Sequence, residues 1–290
     1  MFTKTKIFAY LELIRLNRPI GIFLLLWPTL WALFIAGEGK PSIVILVVFI
    51  LGVALMRSAG CAINDYADRN IDGKVERTRN RPIVTGRVTE YEALAVFITL
   101  CAIAFLITVF FLNGLTLLLS FAAVALAASY PFTKQLHYLP QVHLGLAFAW
   151  AIPMAFTAQT NSLPPTYGWL LFVATILWAT AYDTIYGMID RDDDIKIGVK
   201  STAILFGEAD RLIIGILQTL FILCLIAVGV QTELRYWYYI SLAIAVGLFA
   251  YQQKIIRDQE PAMCLKAFLN NNYVGLIIFI GVLLSYKSPI

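Results

Sequence analysis

SIVILVVFILGVALMRSAGCAINDYADRNID, residues 42–72, carries one charged side chain, Arg57, in its first 22 positions and three aspartates, Asp65, Asp68 and Asp72, in its last nine. About 20 apolar residues suffice for a helix to cross a bilayer core. The stretch therefore reads as a membrane-spanning helix that ends on an acidic cluster. The rest of the chain agrees with that reading. Of 290 residues, 60% are hydrophobic and 14% charged, against about 25% charged in an ordinary soluble domain.

Apolar runs between Gly, Pro and charged clusters predict nine spans, near 19–37, 42–63, 92–111, 114–130, 139–158, 166–189, 211–230, 236–252 and 272–286, the last one short. They do not alternate as barrel strands would, which leaves an all-α, multi-pass protein in the lipid bilayer. Residues 1–290 are expected to form a single integral-membrane domain. Residues 1–18 interleave Lys4, Lys6, Arg15 and Arg18 with apolar positions, unlike a cleavable signal peptide. Ile7, Leu11 and Ile14 are spaced for a short interfacial helix. Cys61, Cys101, Cys224 and Cys264 are scattered through apolar runs and suggest neither disulfides nor zinc. No nucleic-acid partner is expected.

With the N-terminus in the cytoplasm, 18 of the 22 Lys and Arg residues fall on the cytoplasmic side, three on the other, and Arg57 within a span. That asymmetry orients the chain. It places two long polar loops in the cytoplasm, after the second and sixth spans. The second loop region, AYDTIYGMIDRDDDIKIGVKST from residue 181, repeats the first. Asp190 and Asp194 follow Asp68 and Asp72 at one common offset, and each acidic block runs into a basic, Gly-containing stretch, RNRPIVTG (79–86) or KIGVKSTAILFG (196–207). Two pseudo-repeated halves are expected.

If the second helix continues through the start of its loop, Asn64, Asp68 and Asp72 form one ridge, and Asp190 and Asp194 repeat the spacing with Asp183 on nearly the same face. Two facing carboxylate ridges suit hard divalent cations, with oxygen ligands and retained water as Mg2+ prefers. Asp65, Asp192 and Asp193 point away from the ridges and read as solvated loop residues. Nearby cations, Arg69, Lys74, Arg77, Lys134, Lys196 and Lys200, complete a candidate diphosphate cradle. Carboxylates in a membrane protein also occur in secondary transporters, but those sites lie near the midplane on inverted repeats, whereas this repeat keeps its orientation.

These residues resemble the motifs of the UbiA superfamily of intramembrane prenyltransferases. N-D-x-x-D-x-x-x-D is matched by Asn64, Asp65, Asp68 and Asp72. D-x-x-Y-x-x-x-D-x-x-x-D is matched by Asp183, Tyr186, Asp190 and Asp194, and Y-x-x-x-K by Tyr130 and Lys134. The stretches RPIGIFLLLWPTLWAL, LPQVHLGLAFAWAIPMAF and AFLNNNYVGL are similar to members that act on 4-hydroxybenzoate in ubiquinone biosynthesis, in a bacterial inner membrane. The resemblance implies nine helices around a central cavity and Mg2+-dependent ionisation of a polyprenyl diphosphate, with two ions expected. It implies catalytic roles for Asp68, Asp72, Asp190 and Asp194, adds Tyr130 to the diphosphate site, and implies attack by 4-hydroxybenzoate ortho to its hydroxyl. Sister enzymes of the family use homogentisate, dihydroxynaphthoate or haem. On the implied acceptor, Arg57, about 10 Å deeper than Asn64 at helical rise, is a candidate partner for the acid's carboxylate together with Arg15. The alternative for Arg57 is snorkelling to the interface.

Overall fold

The computed structural model describes residues 4–287. The first three and last three residues of the expected domain, and the start of the expected interfacial helix, lie outside the described residues. Thirteen α-helices are described: α1 Lys4–Leu13, α2 Ile20–Ala36, α3 Ile43–Ala67, α4 Glu90–Phe111, α5 Gly114–Leu136, α6 Pro140–Ala149, α7 Ala151–Thr160, α8 Thr166–Gly187, α9 Arg191–Ile197, α10 Thr202–Phe206, α11 Asp210–Gln231, α12 Tyr236–Ile255 and α13 Pro261–Lys287. Seven helices among the described residues are long and apolar enough to cross a membrane, counting the broken pair α6 and α7 as one and α10 with α11 as another. The 17-residue α2 is apolar but shorter.

Ile98, Phe110, Leu118, Leu212 and Val230 are exposed on the outside of the bundle, where lipid and not water is the natural solvent. Apolar burial gives little drive between helices in lipid, so close packing and buried polar contacts hold the bundle together. Trp178 of α8 stacks on Phe221 of α11 with ring centroids 5.7 Å apart and lies 5.4 Å from Trp31 of α2. The Trp178 indole donates to Asn271 Oδ1 at 2.9 Å, Trp31 to the Gly275 carbonyl at 3.1 Å, and Trp27 to Asn272 Oδ1 at 2.9 Å. Such intramembrane bonds contribute on the order of 1 kcal/mol each. Gly275 is needed for the approach of α2 to α13, since a Cβ there would lie 2.6 Å from Trp27 Cγ.

Several boundaries differ from the sequence reading. The last helix is the longest, 27 residues rather than a short segment at 272–286. Its early Lys266 and Asn270–Asn272 resemble a polar loop, yet the three asparagines pair inward, Asn270 accepting from Gln252 at 2.9 Å. The expected span 139–158 is broken after Ala149, because Pro153 has no N–H for the Ala149 carbonyl. In α1, Ala9 and Leu13 are buried against Ala62, Val88 and Ala93, while Ile7 is exposed. The buried face is therefore not the Ile7, Leu11, Ile14 stripe. Lys6 and Tyr10 reach Glu92 at 2.8 and 2.9 Å, tying α1 to the start of α4, where Thr89 and Glu92 form a capping box.

Candidate active site

The helix carrying the first acidic motif stops at Ala67, so the continuous ridge expected from Asn64 to Asp72 is not one helix face. Asp68 caps α3, and Asp72 opens a 3-10 turn, Asp72–Lys74. The stacking survives through turn hydrogen bonds. The Asp68 N–H reaches the Asn64 carbonyl at 2.9 Å and the Asp72 N–H reaches the Asp68 carbonyl at 2.8 Å. The second motif has the same device, with α8 ending at Gly187 and the Asp194 N–H donating to the Asp190 carbonyl at 2.8 Å. One-turn spacing brings each pair of carboxylates to one side of its segment.

Arg77 joins the two loops. Its Nε donates to Asp190 Oδ1 at 2.9 Å and Oδ2 at 3.1 Å, a second nitrogen also contacts Oδ2, and a third reaches the Tyr186 hydroxyl at 2.6 Å. The Glu76 N–H donates to Asp193 Oδ2 at 3.4 Å. The other cations divide the first motif among them. Lys134, in the last turn of α5 because that helix continues past 130, donates to Asp68 Oδ2 at 2.7 Å and Asn64 Oδ1 at 3.3 Å. Arg81 contacts Asp72 Oδ2 at 2.5 Å and Asp65 Oδ1 at 3.2 Å.

Asp65 is not the solvated residue expected of it. It is buried, and besides Arg81 it holds Arg15 at 2.7 Å. Arg81 is the cation the sequence reading omitted. It lies within the quoted RNRPIVTG stretch, but the loop's turns break the helical register that would have marked it as facing the aspartates.

A cavity of about 830 Å³ runs from these segments past Phe49, Phe148 and Met154 to Leu112 at the far end of α4, within the range of small-molecule sites. Its wall includes Asn64, Asp68, Asp72, Asp183, Asp190 and Asp194, the cations Arg77, Lys134 and Lys200, Tyr130, and both Arg15 and Arg57. Arg69, Lys74 and Lys196 do not line it. Arg69 is held by Glu90 at 3.0 Å and the Tyr66 carbonyl at 2.8 Å, Lys74 is exposed, and Lys196 pairs with Asp193 at 3.4 Å. Three of the six expected cations thus line the cavity, and Arg81 lines it as well.

Arg57 does not snorkel. Its guanidinium stays in the cavity wall beside Gly21, 5.6 Å from the Phe148 ring centroid, with a buried Nε that has no hydrogen-bond partner. Arg15 also faces the cavity, but Asp65 engages its guanidinium.

Burial pushes the Asp72 carboxyl up to about 6, opposed by Arg81 and reinforced by Asp68. Burial, with Asp190 adding, pushes Asp194 up to about 7. Among the described residues, no three His, Cys, Asp or Glu side chains converge into a ready-made metal cage. The donor set nonetheless fits a hard cation of the Mg2+ type, which is usually bound by one or two carboxylates plus waters and phosphate oxygens. Carboxylates on two facing segments, with arginines and a lysine among them, match a metal that arrives with a diphosphate.

The profile of the UbiA prenyltransferase family matches residues 25–279. The chain is 57% identical to the 4-hydroxybenzoate octaprenyltransferase of Alkalilimnicola ehrlichii, over 98% of this chain and 96% of that protein. It is likewise 57% identical to the enzyme of the same name from Klebsiella pneumoniae, over 98% of each. A UbiA homolog from Aeropyrum pernix, solved in its apo form, has a TM-score of 0.80 and 28% identity, with 91% of this chain and 97% of that one covered. A homolog from Archaeoglobus fulgidus bound to GPP and Mg2+ has a TM-score of 0.74 at 20% identity, with 95% and 99% covered; this likeness shows the shared fold.

Proposed function

The chain belongs to the UbiA prenyltransferase family, and on that premise we propose that it transfers a polyprenyl group from polyprenyl diphosphate to the carbon ortho to the hydroxyl of 4-hydroxybenzoate, releasing diphosphate, in ubiquinone biosynthesis. The observation that carries this reading is the meeting of two acidic segments and three cations at one end of a long apolar cavity.

Asp68, Asp72, Asp190 and Asp194, helped by Asn64 and Asp183, would hold the divalent metal, with two Mg2+ ions expected for four aspartates on two segments. Bound there, the metal neutralises charge on the leaving oxygens. Arg77, Arg81 and Lys134, with Lys200 and Tyr130 at the wall, grip the diphosphate and stabilise the charge that grows as the carbon–oxygen bond breaks, more in the transition state than in the ground state. The cavity below takes the prenyl tail and keeps water from the allylic cation. Arg57, with a free Nε and low-dielectric surroundings, holds the aromatic carboxylate; the ring carbon ortho to the hydroxyl bonds to C1 of the prenyl group as the C1–oxygen bond to diphosphate breaks, and the proton on that ring carbon leaves to the released diphosphate. Arg15 acts mainly by balancing Asp65.

The bacterial sources of the relatives support a bacterial inner membrane, and the charge asymmetry along the chain favours both acidic segments in the cytoplasm. α2 and α12 then complete nine crossings around a central cavity, in two pseudo-repeated halves of one domain. Incubating the purified protein with octaprenyl diphosphate and a panel of labelled acceptors tests the function. The expected product is 3-octaprenyl-4-hydroxybenzoate, and transfer to homogentisate or dihydroxynaphthoate with none to 4-hydroxybenzoate would overturn the acceptor.

A further inference from the structure

α9 carries Asp194 and follows directly on Asp190, yet it has seven residues, none of them buried. A helix this short does not hold itself in water, and no apolar face anchors it. Beyond the backbone bond from the Lys200 N–H to the Lys134 carbonyl just past its end, its orientation depends on side-chain contacts, the closest of which, at Asp190, comes from Arg77 in the cavity wall, while the Glu76 N–H contact to Asp193 is long at 3.4 Å. One anchor lies elsewhere. Arg191, the first residue of α9, turns away from the cavity and forms an ion pair with Asp210, the first residue of α11, whose side chain has no exposed surface.

Gln259 completes the arrangement from the turn between α12 and α13. Its Oε1 accepts from Arg191 at 3.1 Å, and its Nε2 donates to the two Asp210 oxygens at 3.4 and 3.2 Å. The Arg211 N–H also donates to Asp210 Oδ1. Gln259 has φ 54, a left-handed backbone that an ordinary side chain takes only at a cost. None of Arg191, Asp210 and Gln259 lines the cavity. Buried ion pairs add little net stability relative to apolar packing, and their best-attested use is to fix geometry.

We propose that Asp210 and Gln259 are positioning residues for the second acidic segment: through Arg191 they fix the first turn of α9, and so aim Asp190 and Asp194 into the cavity. The proposal rests on the reading of those two aspartates as metal ligands. Two places outside the cavity, the start of α11 and the turn before α13, thereby set the metal affinity of the site. Arg191 acts as the pivot. Asp210 supplies its charge at one guanidinium nitrogen and Gln259 accepts from a second while donating to Asp210, so two points hold the guanidinium although its Nε has no partner.

The test is Mn2+ binding to the full purified chain in the presence of inorganic pyrophosphate, followed by electron paramagnetic resonance, with Tm measured alongside. Asp210→Asn and Arg191→Gln should each weaken Mn2+ binding by roughly tenfold, as loss of outer-shell partners does, and the double variant should be no worse than either single one, because the residues act as a unit. Arg191→Lys should fall between wild type and Arg191→Gln. Gln259→Gly relieves the left-handed backbone but removes the contacts, so it should weaken Mn2+ binding without a matching drop in Tm. Asn271→Ala, which breaks the buried bond to Trp178, should lower Tm and leave Mn2+ affinity unchanged. Wild-type Mn2+ affinity in both Gln259→Gly and Arg191→Gln would overturn the positioning role, provided Asp190→Ala abolishes binding. Wild-type affinity in Asp190→Ala would overturn the metal reading itself.

Discussion

The guanidinium of Arg57 lies directly over the backbone of Gly21: a Cβ at position 21 would sit 2.9 Å from Arg57 Cζ. Replacing Gly by Ala inside a helix normally stabilises it by about 1 kcal/mol. Here the added methyl must displace the arginine. Gly21→Ala should therefore raise the apparent KM for 4-hydroxybenzoate by roughly tenfold, as Arg57→Ala should if one charged contact of about 1.5–3 kcal/mol is lost. The KM for prenyl diphosphate should change much less in both variants. Steady-state kinetics with each substrate varied in turn checks this, and an unchanged acceptor KM in both would remove Arg57 from the acceptor site.

Arg81 and the three cations outside the cavity make a sharp contrast. Arg81→Ala removes the Nη1 shared by Asp72 and Asp65, and should raise the KM for prenyl diphosphate by roughly tenfold. Lys74→Ala, Lys196→Ala and Arg69→Ala should stay within about twofold, the usual effect of a surface change. Equal losses across all four would mean that the loop acts by bulk positive charge.

Asp72 and Asp194, pushed up to about 6 and about 7, keep their protons in the folded protein over the pH range between the ordinary carboxylate value and those values, where the unfolded chain has already released them. In the metal-free protein their contribution to stability is thus present at low pH and lost as pH rises through 6 and 7. Metal binding requires the ionised carboxylates, so proton and metal compete. The Mg2+ concentration giving half-maximal activity should rise on acidification below about pH 7, by up to about tenfold per pH unit for each carboxylate that must deprotonate. A half-saturation value flat from pH 5.5 to 8 would contradict the assignment of these two residues.

The orientation we propose from the Lys and Arg asymmetry puts the first acidic loop in the cytoplasm. A cysteine introduced at exposed Lys74 should resist an impermeant thiol reagent in intact cells and react after permeabilisation. Labelling in intact cells would reverse the orientation and, because Arg77 bonds to Asp190, would carry the second loop with it.

Much of the site was legible in the sequence because the chemistry sits on helix ends. The spans around residues 42–63 and 166–189 end where α3 and α8 do, within a few residues, and the four-residue aspartate spacing persists as one-turn hydrogen bonds even though neither helix extends through it. Arg57 could be singled out because one arginine in an apolar run is costly. What escaped notice depends on tertiary contact. Asp65 reads as facing away along its helix, and only the folded chain brings Arg15, from the turn after α1, and Arg81, from the loop, to it. The start of α13 was hidden because Asn270 to Asn272 look like loop residues until their partners on α2, α8 and α12 are seen.

We assign the aspartates of both segments jointly to a divalent metal that would assist ionisation of the prenyl diphosphate. Product formation from octaprenyl diphosphate and labelled 4-hydroxybenzoate, measured with purified protein in lipid nanodiscs, tests it most directly when wild type, Asp68→Ala, Asp190→Ala and Asp193→Ala are run with Mg2+ and with a chelator. The account predicts product from wild type only with Mg2+ and near-wild-type turnover in Asp193→Ala. It also predicts a loss of about 3 kcal/mol or more, roughly a hundredfold, in both Asp68→Ala and Asp190→Ala. Chelator-resistant turnover, or an Asp190→Ala variant as active as Asp193→Ala, would contradict it.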